Sequence, residues 1–529
     1  VSAPVTVTLY ARDGSSLVTT VDDAAGVQWL DELNSTGSGT VKVPISSDVV
    51  AAVGYDQVLK FTYEGSDRFA IFIESIGWNV VDEAGDRWLN LSGRGLLGWL
   101  ANAAVLPVGG MTKSVADVRW FNFGAVDAPD HDLHVTWSTP EAVKWDVRDD
   151  NVAGYPLDWP DIAAYWLWPT DPEASVAAGT KAWFRASFTL ARPTSIEIWA
   201  AADNFLDLYL DGELLISQTS DPYGWQTATT TRVELPSGTH VIAVRGQNAI
   251  PPPTIAGYNP AAILVSLLEV DGDGSLGGSV LHTDTSWECA SEEPWWSAGD
   301  VLRTLVLEAQ TRDVDGVTNL TMDFDAETDS NGQPWSTKVA RSWDIVNTSV
   351  LTVAQDLAEL GVDVWITPDL VLHCAETRGS VLAGDVVLSD DTSVARWSFA
   401  GERATGTHGW IRNDQGWTEV VDSGGEAAWG RREVGMSLGA SDSDEQAADV
   451  VRAAFREIAV PQETVQDTEL IPADGARAYV NFDVADTVTG IDKDGSPANV
   501  RVLSITLVQD DDAKVVYTPE LEVMPDETS

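Results

Sequence analysis

Trp183-Phe-Arg-Ala-Ser-Phe-Thr-Leu190, Ser195-Ile-Glu-Ile-Trp-Ala200 and Leu206-Asp-Leu-Tyr-Leu210 follow one another closely in the middle of the chain. Each run is rich in β-branched, aromatic or alternating apolar residues, which fit a pleated, half-buried surface. Asp211-Gly212 comes next. That dipeptide tolerates the left-handed backbone of a tight hairpin, so Glu213 to Ser217 reads as the returning strand. Arg232 to Leu235 and His240 to Arg245 flank a second turn, Pro236-Ser-Gly238, and Ala262 to Val270 closes the set. Short strands at regular spacing, with turn chemistry between them, predict a β-sandwich or jelly roll over residues 160–285.

The flanks have a different texture. Val5 to Tyr10, Val41 to Ile45, Ala70 to Ile76 and Trp88 to Ser92 read as strands, and Trp99 to Val105 as a short helix. Residues 1–112 are therefore expected to form a small β-rich domain. Residues 113–159, with Trp120, Trp137, Trp145 and Trp159 among Asp and Pro, read as a connector. Beyond the sandwich, Val301, Leu302, Leu305, Val306 and Ala309 recur at the helical period, as do Val353, Leu357 and Leu360. Val362 to Ile366 and Leu370 to His373 read as strands around a Pro368-Asp369 turn, and Val386 to Trp429 is β-like, giving an α+β region over 286–440. In the last segment, 441–529, Asp442 and Glu445 have capping-box spacing and open a helix that Pro461 stops. Tyr479 to Leu521 then reads as a β module with a hairpin signal at Asp492-Lys-Asp-Gly495. The expected fold class is mainly β with a few helices, in several domains.

Charge narrows the function. The chain has 529 residues, with 82 acidic against 31 basic side chains and a formal net charge of −51. Such a surface repels phosphate backbones, so a nucleic-acid reader is not expected. The two cysteines, Cys289 and Cys374, form no C-x-x-C pair and cannot build a disulfide framework. They suit folding in a reducing cytosol. Val1 to Gly14 shows no basic and apolar signal-peptide pattern, and the longest apolar stretch, Ala261 to Leu268, is too short to span a bilayer.

Chemical motifs are weak. Gly93, Gly95 and Gly98 match G-x-G-x-x-G between a strand and a helix, but a dinucleotide site also needs a parallel βαβ unit. Gly272, Gly274 and Gly277 match it in a loop. His131 and His134 have a spacing that can bind metal, yet Pro129 argues for a loop. The segments Asp271 to Gly274, Asp313 to Gly316 and Asp492 to Gly495 lack full calcium-loop spacing and read as hairpin turns. No nucleophile elbow or Walker A is present. We expect no catalytic residue, no metal and no cofactor. One constellation suits sugar binding. Asp203 and Asn204 offer paired acceptors and donors for hydroxyls, and Asp221, Tyr223 and Trp225 form an aromatic loop whose faces can stack on a pyranose. The plainer alternative is that Asp203-Asn204 caps a turn and Trp225 packs its loop.

Two resemblances follow from particular residues. The flanks, about 1–112 and 290–529, resemble the tail hub (minor tail) proteins of long-tailed actinobacterial bacteriophages. The likeness lies in Leu91-Ser-Gly-Arg-Gly-Leu-Leu-Gly98, Val301-Leu-Arg-Thr-Leu-Val-Leu-Glu-Ala309, Met322-Asp-Phe-Asp-Ala-Glu-Thr-Asp-Ser330, Trp429-Gly-Arg-Arg-Glu433, Tyr479-Val-Asn-Phe-Asp-Val-Ala-Asp-Thr-Val488 and Arg501-Val-Leu-Ser-Ile505. Ala485 departs from it, where the family often has Gly. The middle, about 160–285, resembles the galactose-binding-like sandwiches of rhamnosidases, through Trp183 to Phe188, Ala202-Asp-Asn204, Tyr209-Leu-Asp-Gly212 and Leu235-Pro-Ser-Gly-Thr-His240.

Together the resemblances imply a non-enzymatic minor tail protein at the virion tail tip, made in the host cytoplasm. It would be a homotrimer forming the baseplate hub. Its partners would be the distal tail protein ring, the tape measure and other tip proteins, and host cell-wall glycans would meet the inserted sandwich. The competing reading is a secreted glycan-binding module or a glycosidase remnant. The non-sandwich flanks with their own helices speak against it.

Overall fold

The structure is a computed structural model. It describes residues 5–81, 86–106, 118–125, 134–144, 156, 158–172, 174–219, 224–249, 259–339, 341–389, 394–402, 407–413, 416–421, 423, 426–427, 431–437, 462–470, 475–491, 495–510 and 514–524. The protein is mostly β and divides into two compact units. One comprises Val1–Ala104, Ala298–Thr337 and Thr348–Ser529, and the other Val105–Ser297 and Lys338–Asn347.

The first unit is built on a 12-stranded sheet. Its N-terminal strands are β1 (Thr6–Tyr10), β2 (Leu17–Val21), β3 (Ala25–Glu32), β4 (Ser38–Pro44), β5 (Val58–Tyr63), β6 (Ser66–Val81) and β7 (Arg87–Gly95). They run in the order β2-β1-β5-β6-β7-β4-β3, and the sheet continues into Pro497–Gln509, Val515–Val523, Gln462–Leu470 and Val394–Glu402. The join is antiparallel, from Val27 opposite Gln509 to Glu32 opposite Ser504. In β4 the residues Gly39, Val41 and Val43 turn inward while their neighbours face water. That is the period-2 pattern of a sheet with one buried face. Tyr63 of β5 meets Tyr517, which lies several strands away, through their hydroxyls. The sheet therefore rolls over on itself and encloses a core that includes Trp29, Phe61, Leu89, Phe482 and Leu507.

Both periodic helices form, as α1 (Ala298–Thr311) and α2 (Val350–Ala358). Ser349 caps α2, its hydroxyl accepting from the Thr352 amide. The segment expected to be a helix at 99–105 is a 3-10 helix, Leu96–Asn102. The capping-box helix at 442–458 lies outside the described residues, as does most of the Asp492–Gly495 signal. That last segment still joins two antiparallel neighbours, Thr487–Ile491 and Pro497–Gln509. Asp313 to Gly316 is not a hairpin. It links α1 to a 3-10 turn, and Gly316 (φ +78) lies where an added Cβ would sit 2.4 Å from the Trp99 ring.

The second unit is a two-sheet sandwich. Its strands are β8 (Val118–Phe121), β9 (Glu141–Val143), β10 (Trp166–Trp168), β11 (Lys181–Leu190), β12 (Thr194–Asp203), β13 (Phe205–Leu210), β14 (Glu213–Gln218), β15 (Thr229–Leu235), β16 (Gly238–Gln247), β17 (Ala262–Val270), β18 (Leu276–His282) and β19 (Glu288–Ala290). One sheet has the order β15-β12-β17-β10-β9, with β18 also on β17, and the other β14-β13-β16-β11-β19. Asp211 (φ 52) and Gly212 (φ 90) make the hairpin turn between β13 and β14. Inward residues of both sheets, such as Ile196, Ile198, Leu208, Val244 and Val265, share one core. The stretch read as a connector carries β8, which pairs with Arg341–Asp344, and β9, which pairs with β10.

Candidate functional site

Asp203 and Asn204 sit where the chain steps between the two sheets. Asp203 ends β12 opposite Ala262 of β17, and the Asn204 amide donates to the Gln247 carbonyl of β16 at 3.3 Å. Both are buried. The Asn204 Nδ2 donates to Asp203 Oδ1 at 2.7 Å, and its Oδ1 accepts from the Ala249 amide at 2.6 Å. These polar groups tie the crossover to itself. Burial pushes the Asp203 carboxyl up to about 7. Trp225 is half-buried and packs against a small cluster of Trp159, Trp166, Ala201, Ala262 and Leu264. Gly224 lies close to the crossover: a Cβ there would be 2.7 Å from the Asn204 carbonyl oxygen. The fold thus brings Asp203, Asn204 and the Trp225 loop together. Asp221 and Tyr223 lie outside the described residues.

The other motifs take structural places. Gly93 and Gly95 let β7 pass its neighbours, because a Cβ at Gly93 would be 1.7 Å from the Phe72 carbonyl oxygen and one at Gly95 2.2 Å from that of Thr36. Strand β7 is antiparallel to both β4 and β6, so the glycines open no parallel βαβ unit. Asp271 to Ser275 is the β17–β18 turn, with the Ser275 hydroxyl donating to Asp273 Oδ1 at 2.7 Å. His134 stacks on Trp295 with centroids 4.1 Å apart, and His131 lies outside the described residues. Among the described residues no group of three His, Cys, Asp or Glu is arranged to hold a metal ion, and no helix is long and apolar enough to cross a membrane.

No family model matches the chain, and no curated protein does. Solved structures do. The chain is similar to the prophage tail protein gp18 of Listeria monocytogenes EGD-e, at 9% identity over 100% of this chain and 96% of that one, with a TM-score of 0.41. It is similar to the 43 kDa tail protein of prophage MuSo2 from Shewanella oneidensis, at 9% identity over 98% of each chain, with a TM-score of 0.43. Its likeness to the Streptomyces avermitilis alpha-L-rhamnosidase covers 55% of this chain and 22% of that one, at 14% identity and a TM-score of 0.21. Overlaps this loose carry no weight for fold or function.

The first unit holds a site that sequence reading missed. A cleft of about 530 Å³ is lined by Asp31, Arg68, Trp365, His373, Arg378 and Asp483 among others. Burial pushes Asp31 up to about 6; Arg378, 3.9 Å away, opposes this and Asp483 adds to it. Burial raises Asp483 as well. The Arg378 guanidinium lies 5.0 Å from the Trp365 ring centroid, and Trp365 stacks on His373 at 4.7 Å. Asp363 Oδ2 holds this arrangement, accepting from the Arg378 amide at 2.6 Å and from Arg501 at 2.7 Å. His373 Nδ1 is 2.7 Å from Asp323 Oδ2, and burial is the largest influence on the ring, lowering its pKa. Among the described residues, the cleft brings buried acids and an arginine together. Two of the runs quoted for the hub resemblance reach it, Tyr479 to Val488 through Asp483 and Asp486 and Leu91 to Gly98 through Gly95 to Leu97.

Proposed function

We propose that this chain is a structural minor tail protein that forms the tail-tip (baseplate) hub closing the tail tube of a bacteriophage. In this reading it is not an enzyme. It acts as a homotrimer at the virion tail tip and contacts the distal tail protein ring, the tape measure and other tip proteins. One observation carries the reading. The two separated segments that resemble tail hubs fold as one unit, with β3 from the N-terminal side hydrogen-bonded to Pro497–Gln509 from the C-terminal side. In this reading the sandwich is an insertion that interrupts them and leaves that sheet whole.

The inserted sandwich is proposed to touch host cell-surface glycans through its Trp225 loop. Asp221, Tyr223 and Trp225 would make the contact, and the buried Asp203–Asn204 pair would hold the loop's base. Weak single sites would gain from repetition in an oligomer. Immunogold labelling of intact virions with an antibody to this chain tests the hub reading: label at the tail tip supports it, and label absent from virions sinks it. A glycan array probed with the full chain and its Trp225→Ala variant tests the sugar contact. Equal signal from both proteins would remove it.

A further inference from the structure

The cleft in the first unit carries polar groups that the fold itself leaves without partners. Asp31 lies near the end of β3 and Arg68 near the start of β6. Trp365 and His373 stand opposite each other in the antiparallel pair Asp363–Ile366 and Val371–Ala375. At about 530 Å³ the cleft has the size of a small-molecule site, which spans roughly 300–1,000 Å³. The Arg68 Nε is a donor, buried with no acceptor among the described residues. The His373 Nε2 is buried and equally without a partner there. Its Nδ1 is 2.7 Å from Asp323 Oδ2, and an ionised carboxylate only accepts, so Nδ1 carries the ring proton and Nε2 is a bare acceptor. Burial favours that neutral ring. Asp31 is poorly served as well. Arg378 stands 3.9 Å from it, too far for a hydrogen bond, and is itself held over the Trp365 ring. Buried polar atoms are nearly always paired, so unmade bonds on residues that line a cavity mark places for a ligand's atoms.

The charge balance says what those atoms are. Among the described residues six acidic side chains line the cleft, and two arginines answer them. Burial raises both Asp31 and Asp483, and Arg378 is the main counter-charge of each. One guanidinium thus serves two desolvated carboxyls. An anion would be repelled by this lining, and a neutral polyol would leave the deficit of positive charge as it is. A primary ammonium meets it, with three donors and no acceptor. One oxygen beside the ammonium would take the Arg68 Nε–H. We propose that the cleft binds a primary ammonium group with an oxygen acceptor next to it, the ammonium seated among Asp31, Asp483 and His373 and the oxygen on Arg68. An α-amino acid unit and a hexosamine both carry that pair of groups. The inference rests on the cleft and not on the tail reading.

Isothermal titration calorimetry of the full chain tests it with four probes. Two are the amines L-leucinamide and D-glucosamine, and two are their N-acetyl forms, which keep the oxygen and lose the charge. At pH 7 at least one amine is expected to bind, about tenfold or more tighter than its N-acetyl form, and which one binds identifies the source. The same amine should bind about tenfold more weakly at pH 5, where Asp31 holds its proton. Glu32, Arg378, Asp483 and Tyr479 surround Asp31, with Arg68 and His373 also lining the cleft. Loss of a proton from Asp483 or His373 acts in the same direction. Asp31→Asn should weaken binding about tenfold or more, and Arg68→Gln severalfold. Asp22→Asn removes an equal charge from an exposed position off the cleft and should change nothing. Near-ultraviolet circular dichroism confirms folding, and Arg68→Gln decides the question if Asp31→Asn does not fold. The proposal is overturned if neither amine binds, if the N-acetyl forms bind as tightly, if binding ignores pH, or if the cleft variants behave like Asp22→Asn.

Discussion

The sandwich and the rolled sheet are both antiparallel β structures with local hairpins, yet they differ in how far along the chain their pairings reach. In the sandwich, hairpins such as β13–β14 and β17–β18 pair neighbours in the chain, and its two main sheets draw only on residues 141–290. In the rolled sheet the deciding contacts join the two ends of the chain. Trp29 donates to the Tyr479 hydroxyl at 2.9 Å, Tyr63 meets Tyr517, and the Val5 amide donates to Gln509 at 2.6 Å. Local pairing costs little loop-closure entropy, whereas end-to-end pairing must overcome much more before any contact repays it. An insertion is tolerated best in the second kind of unit, because the loop it lengthens is already long and the entropic cost grows only logarithmically.

If the two units hold themselves together separately, variants should unfold one and spare the other. Trp29→Ala should have the largest effect. It empties a fully buried site packed on Phe61 and Tyr479 and strands the Tyr479 hydroxyl. Differential scanning calorimetry should show the first unit's transition lowered by the equivalent of ~3–5 kcal/mol, with the sandwich transition unmoved. A parallel shift of both transitions would break the comparison. Asp363→Ala comes next. It removes the acceptor shared by the Arg378 amide and Arg501, and the partner of Asn34 Nδ2 at 3.0 Å. Denaturant unfolding should register a loss of ~2–3 kcal/mol in the first unit alone.

A smaller effect separates the units by pH. Asp203 holds its proton in the fold up to about 7, well above an ordinary carboxylate. Its stabilising contribution is therefore full at acid pH and is lost as pH rises from about 4 to 7. Asp203→Asn should flatten that slope for the sandwich and raise its stability at pH 8 by ~1–2 kcal/mol relative to wild type. The first unit should keep a slope of the same sign from Asp31. An unchanged sandwich slope in the variant would sink this account. The smallest effect is expected at Ala485, which is buried with φ 76. An L-residue there is strained and glycine is not. Ala485→Gly should stabilise the first unit by less than ~1 kcal/mol in thermal melts, and a lowered midpoint would mean that the lost methyl packing outweighs the strain.

The strands of the sandwich were legible because their information is local: period-2 alternation, Asp211-Gly212 and Pro236-Ser-Gly238 act on residues a few positions away. The same holds for α1 and α2, whose apolar faces recur at the helical period. The positions of Asp203 and Asn204 were legible as a joint between strands, but their burial was not. Whether a turn faces water depends on the loop that covers it, here Gly224 and Trp225. The cleft was the least legible feature. Asp31, Arg68, Arg378 and Asp483 are harmless surface charges until the sheet rolls, and then burial, with the Asp483 charge adding to it and Arg378 opposing it, pushes the Asp31 carboxyl up to about 6. By itself the sequence determined the element types, the sandwich class and the acidic surface, because propensity, turn chemistry and net charge are sums over neighbours. Only the tertiary structure decided that the two ends share one sheet and which carboxyls are desolvated, because each depends on contacts beyond a residue's neighbours in the chain.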